Sequence, residues 1–270
     1  MNAILSFQRL SGLIRKQWIE NNRFYLAASL ALFGLLSLAV IIFWILMNRS
    51  RFEEKDLYFI YLTGLFLAGT IFASMGFIHL GNKEKGMSWL TFPASHTEKL
   101  ITVFFYHSVL FFLVYSACFL LVKWLVVAFV KNYYIAGSQD RFVPVNWNGE
   151  LGTILPVMLI AFLAIQSLYL LGSLYFKQYS FIKTTLVMIC LAGMYIFLVA
   201  KAYQVFFPDM GLQLGNNIEL RRHHDPANFA IYQSYSLGPI VANTLELLLK
   251  WAWAPVFLLI TWFRLGEKEI

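Results

Sequence analysis

The sequence predicts an all-α integral membrane protein with six transmembrane helices, and three observations carry that expectation. Of its 270 residues, 60% are hydrophobic and 13% charged, against about 45–50% apolar and about 25% charged in ordinary soluble domains. Six apolar runs, at 24–47, 57–80, 100–130, 151–175, 182–206 and 239–265, are long enough to cross about 30 Å of hydrocarbon at about 1.5 Å per residue. The charged residues sit between those runs, singly or in short groups. A net charge of +7 in that arrangement suits a membrane surface and argues against nucleic acid as a partner.

Ahead of the first run, Phe7, Leu10, Ile14 and Trp18 recur at steps of three and four among Arg9, Arg15, Lys16, Gln17 and Glu20. That spacing predicts an amphipathic interfacial helix over 1–23. It serves either as a membrane anchor or as an elbow beside a partner subunit, and the pattern alone does not choose. Phe24 to Met47 is 24 residues long. It exceeds the roughly 7–15 residues of a signal-peptide core and stays as a span.

In the second run, Gly64, Ala68, Gly69, Ala73, Ser74 and Gly76 place small residues at helical spacing. They let a neighbouring helix approach closely, which is a packing role. Between the second and third runs lies the compact polar segment 81–99, with Lys83, Glu84, Lys85, the apolar pair Trp89 and Leu90, Phe92 and the backbone-breaking Pro93. Ser95 stands three residues before Glu98. This is a capping-box spacing, in which each residue's side chain bonds the other's amide, so a helix should start there and run into the third span.

Lys123 falls roughly 35 Å along that helix from Leu100. It should lie at the far end and snorkel to the headgroups. His107 is a histidine inside the third run and reads as a satisfied packing residue, while Cys118 and Cys190 read as small buried hydrophobes. The segment 207–238 is a polar loop holding Arg221, Arg222, His223, His224 and Asp225. Adjacent histidines make no metal site, which needs three or four converging ligands. In the last run Glu246 and Lys250 lie one turn apart and can pair. Either 239–249 is a re-entrant piece or it belongs to one long span.

Six spans put both termini on one side. The amino-terminal segment, 81–99, 176–183 and the tail hold eleven Lys and Arg against seven in the opposite loops. The termini are therefore expected to be cytoplasmic and 207–238 extracytoplasmic. No second domain is visible, so 1–270 is expected to form a single transmembrane domain.

Enzyme chemistry is missing. A phosphate-cradling loop would end in Gly-Lys-Ser/Thr, and here Gly86 is followed by Met87. There is also no His-Glu-x-x-His or Gly-x-Ser-x-Gly pattern. No catalytic residue, metal or cofactor is expected.

The pattern Glu84, Gly86, Leu90, Pro93, Ala94, Ser95, Glu98, Lys99 between spans two and three resembles the cytoplasmic coupling loop of ABC-2 type transporter permeases. The amphipathic start and the tail Phe263, Arg264, Leu265, Gly266, Glu267, Lys268, Glu269, Ile270 are similar to those of bacterial members. Ile101, where many relatives carry a small residue, departs from the pattern. The resemblance implies a permease subunit of an exporter, in the cell membrane, paired as a homodimer or heterodimer and driven by a separate ATP-binding subunit. It implies that Glu84, Gly86, Trp89, Leu90, Phe92, Pro93, Ser95, Glu98 and Lys99 form the contact with that subunit. The reading from a different class is a non-transporting structural or assembly subunit of a membrane complex.

Overall fold

The computed structural model describes residues 6–47, 52–81, 94–135, 142–176, 178–206, 210–214, 218–222, 233–234, 244, 247–248 and 250–269. Its helices are α1 (Phe7–Met47), α2 (Glu54–Ala73), α3 (His96–Phe104), α4 (Phe111–Ile135), α5 (Glu150–Tyr175), α6 (Ser180–Phe206) and α7 (Trp253–Glu269). A π-helical segment, Phe105–Leu110, joins α3 to α4. Among the described residues, five helical stretches are long and apolar enough to cross a membrane: Phe7–Ile45, Glu54–Ala73, His96–Asn132, Leu151–Tyr175 and Ser180–Leu198. By length and composition this is a multi-pass membrane protein. The sixth expected run is described in full only from 250 onward, where α7 has 17 residues. Glu246, and with it the pairing to Lys250, lies outside the described residues.

The chain divides into two compact units, 1–181 with 253–270, and 182–252. In the second, α6 exposes Ile189, Leu191 and Met194. Cys190 is exposed there as well and not buried as its apolar context implied, because it sits on an unpacked face of α6. The segment 207–238 is more than a loop: strands β3 (Met210–Leu214), β4 (Ile218–Arg222) and β5 (Gln233–Ser234) form an antiparallel sheet in the order β3-β4-β5. The His223, His224, Asp225 group lies outside the described residues.

In the first unit the expected boundary between an interfacial helix and span one does not exist. α1 runs unbroken for 41 residues, or about 61 Å, twice the hydrocarbon thickness. No proline or glycine interrupts it between Leu13 and Phe33, so the helix continues through the charged segment. α1 and the α3-π-α4 rod run parallel. Ser6 bonds Glu98, Ile14 bonds Tyr106, Ser29 faces Cys118 and Trp44 packs on Phe129, in the same order along both helices. α2 is antiparallel to that rod, since Tyr58 meets Lys123, Tyr61 meets Ser116 and Phe72 meets His107.

The core of this unit gathers Leu36, Leu57, Tyr61, Leu65, Tyr115 and Phe162 from four helices. The small residues of α2 and of the turn that follows it are what allow it. A Cβ on Gly64 would collide with the Tyr115 hydroxyl, one on Gly69 with the Gln166 amide, and one on Gly76 with Leu170. Their expected packing role is thus what the structure contains. His107 is buried, with Nδ1 2.9 Å from the Phe72 carbonyl and its ring 4.6 Å from the Phe72 ring.

Lys123 lies at the far end of the unit, as its helical distance implied, but it does not snorkel. Its Nζ is 2.6 Å from Oε1 of Glu54 and donates to the Tyr58 hydroxyl at 2.8 Å. Oε2 of Glu54 in turn accepts from the Val145 amide at 3.1 Å. Beside it, strands β1 (Phe52–Glu53) and β2 (Phe142–Val143) pair in parallel, with Phe52 stacked on Phe142. A carboxylate on the facing helix α2, one turn before Tyr58, is a better partner for a largely buried ammonium than a distant headgroup, and it closes this end of the bundle.

Candidate coupling site

The candidate site begins at the residue before α3. Ser95 is extended, with φ −70 and ψ 156, and its hydroxyl accepts from the Glu98 amide at 3.2 Å. Oε2 of Glu98 accepts from the Ser95 amide at 2.9 Å, completing the capping box expected from the spacing. The Ser95 carbonyl accepts from the Lys99 amide at 3.0 Å, so the helix is closed from its first turn. Two of the four orphan amides of a helix start are satisfied by this box.

Glu98 does more than cap. Its Oε1 accepts from the Ser6 amide at 2.7 Å and lies 3.3 Å from Nη2 of Arg9. The carboxylate is fully buried, while Arg9 remains 44% exposed. One side chain therefore bonds the starts of α1 and α3, 92 residues apart in the chain. A buried carboxylate persists only when such donors surround it, and here two backbone amides and a guanidinium do so. Two turns on, the Tyr106 hydroxyl donates to the Ile14 carbonyl at 2.7 Å, and the Tyr106 ring stacks on Tyr25 at 5.3 Å. The two helices are thus tied over their first turns.

α7 reaches the same end. Arg264 sits 4.9 Å over the ring of Tyr175, the last residue of α5, and pairs with Glu267. Leu265 is fully buried. The start of α1, the start of α3 and the ends of α5 and α7 share one end of the unit.

Of the site residues expected from sequence, Ser95, Glu98 and Lys99 are placed, and Lys99 is buried. Glu84, Gly86, Trp89, Leu90, Phe92 and Pro93 lie outside the described residues. Ile101 is 38% exposed on α3. Sequence reasoning did not find Ser6 and Arg9 as partners of Glu98. The only signal was a basic, amphipathic start, which has many uses. Compared with known proteins, the chain matches no protein-family model, no curated protein and no solved structure.

Proposed function

We propose that this chain is the membrane-spanning permease subunit of an ABC-2 type exporter, working as a dimer in the cell membrane with separate ATP-binding subunits. The supporting observation is the Glu98 clamp. A loop that passes force to the spans must end on an element that does not yield, and the helix following 81–99 is capped by Ser95 and bonded through Glu98 to Ser6 and Arg9. A push on the loop is then carried into α1 and α3 together. In this reading Trp89, Leu90 and Phe92 supply the apolar anchor for the ATP-binding subunit, Glu84 its charged rim, and Pro93 stiffens the turn, while Lys99, buried on α3, supports the helix and not the contact. The termini and 81–99 face the cytoplasm, as the distribution of basic residues favours.

Co-purification with an ATP-binding subunit and substrate-stimulated ATP hydrolysis in the reconstituted complex test this reading. Trp89→Ala should reduce docking, since truncating an aromatic anchor costs about 2 kcal/mol or more. Ser95→Ala should spare docking and lower stimulated hydrolysis. Wild-type behaviour of both variants, with normal expression, favours the structural-subunit reading, and ATPase activity of the chain alone refutes the division of labour.

A further inference from the structure

Midway along unit one lies a polar layer that packing does not explain. Gln166 on α5 is fully buried, and neither its Oε1 nor its Nε2 has a hydrogen-bond partner among the described residues. Ser108, also fully buried, has a hydroxyl with no hydrogen-bond partner among the described residues. The two stand at the same depth. A Cβ on Gly76 would touch both Val103 and Leu170, and the Phe112 and Phe162 rings lie 6.0 Å apart. Ser108 falls between Val103 and Phe112 on one rod, and Gln166 between Phe162 and Leu170 on the other. Gly69 on α2 opens the space for the Gln166 amide, which a Cβ there would strike.

Ser108 belongs to the π-helical segment Phe105–Leu110. A π-segment holds one residue more than the α-helix it interrupts, and such segments are rare and short. Moving that residue out turns the helix on one side by about 100° and shifts it by about 1.5 Å relative to the other. On the amino-terminal side that helix is α3, nine residues ending on the Glu98 clamp. With the clamp closed on Ser6 and Arg9, α3 is held in one rotational register and the surplus residue stays at 105–110.

We infer that the π-segment is a two-state joint in span three: the Glu98 clamp holds the surplus residue at 105–110 with Ser108 and Gln166 unpaired, and opening the clamp lets that residue move out and pair them. In the resulting α-helical state the Ser108 hydroxyl and the Gln166 carboxamide bond each other. Closing the clamp breaks that bond and restores the contacts of Glu98. The clamp at the start of α3 and the Ser108–Gln166 pair beyond its end exchange one set of bonds for the other.

Spin labels at Ile101→Cys on α3 and Leu67→Cys on α2, both exposed positions, report the rotation in the full chain with Cys118 and Cys190 replaced by Ala. The parent should give one dominant label distance. Glu98→Gln, which keeps the volume and loses the charge, should raise the ratio of a second, displaced distance about tenfold or more, the ratio set by losing one charge-assisted hydrogen bond. Adding Ser108→Ala, or separately Gln166→Leu, should return the first distance to dominance. Ser108→Ala removes a single atom, so it serves even where Gln166→Leu lowers expression. An unchanged distance in Glu98→Gln overturns the joint, as does a second distance that persists undiminished in both added variants. No ATP-binding subunit enters this experiment, so its outcome bears on the joint and not on the transport role.

Discussion

Replacing Glu98 by Ala should destabilise the protein more than any other single change at the start of α3. The carboxylate accepts from Ser6 at 2.7 Å and Ser95 at 2.9 Å and meets Arg9 at 3.3 Å. Hydrogen bonds to a charged group contribute about 1.5–3 kcal/mol each. Arg9 is 44% exposed, so solvent screens its attraction to about 1 kcal/mol or less. Burying the carboxylate opposes these gains, and the net loss in Glu98→Ala comes to about 3 kcal/mol. Ser95→Ala removes one neutral acceptor, for about 1 kcal/mol. Arg9→Ala leaves the carboxylate its two amides and should cost about 0.5–1 kcal/mol. Thermal unfolding in detergent micelles reads the order. At about 2–4 °C per kcal/mol for a domain of this size, Glu98→Ala should lower Tm by about 6–12 °C and Ser95→Ala by about 2–4 °C. A Glu98→Ala midpoint equal to or above that of Ser95→Ala would show that the carboxylate acts only as half of a cap.

Three other outcomes are expected. Gly69→Ala should lower Tm through a clash with the Gln166 amide and the Phe162 ring, by the equivalent of about 1–3 kcal/mol, whereas Gly34→Ala, which meets open space, should not. Lys123→Met leaves the Glu54 carboxylate without its cation at 14% exposure and should cost about 3 kcal/mol, with most of the loss recovered in Lys123→Met/Glu54→Gln as read by a double-mutant cycle in Tm. Single cysteines placed at Asn82 and Asn217, with Cys118 and Cys190 replaced, should label from the cytoplasmic and the outer side respectively. Reversed labelling refutes the orientation, and labelling of both from one side refutes the span count.

Local physics was legible in the sequence, and long-range pairing was not. The capping box at Ser95 and Glu98 depends on a three-residue spacing and an apolar run behind it, and both are visible in the chain. The depth of Lys123 followed from helical rise alone. Its partner Glu54 did not, because 69 positions separate the two and any carboxylate near a span end would have served equally. The same holds for Ser6 and Arg9 at Glu98. The expected break after residue 23 was read from a change in composition, yet composition sets where a helix meets water and not whether it ends. Ending it takes a proline, a glycine or a capping side chain, and the segment from Leu13 to Phe33 offers no proline or glycine. The π-segment left no recognisable mark, since Phe105 to Leu110 holds no proline or glycine and its His107 and Ser108 are as compatible with an α-helix as with a π-turn.

The distribution of charge along the first unit explains where it can move. At one end Glu98 joins α1 to α3, and at the other Glu54 joins α2 to α4 through Lys123 and to β2's flank through Val145. Both carboxylates are bound by at least two donors and shielded from water, so opening either end breaks several charge-assisted bonds at once. Between them ring contacts, Phe72 against Phe111 and Tyr61 against Phe119, sit beside hydrogen bonds of Tyr61 with Ser116 and of Tyr115 with the Tyr61 carbonyl. The ring contacts are non-directional and tolerate a small rotation at little loss of buried area. The middle also holds the one stretch of span three whose backbone departs from α-helical geometry. A displacement applied at Ser95 would pass along α3, held at its start by the Glu98 clamp, to Phe105–Leu110, where the backbone leaves α-helical geometry and Tyr106 and His107 tie the segment to α1 and α2.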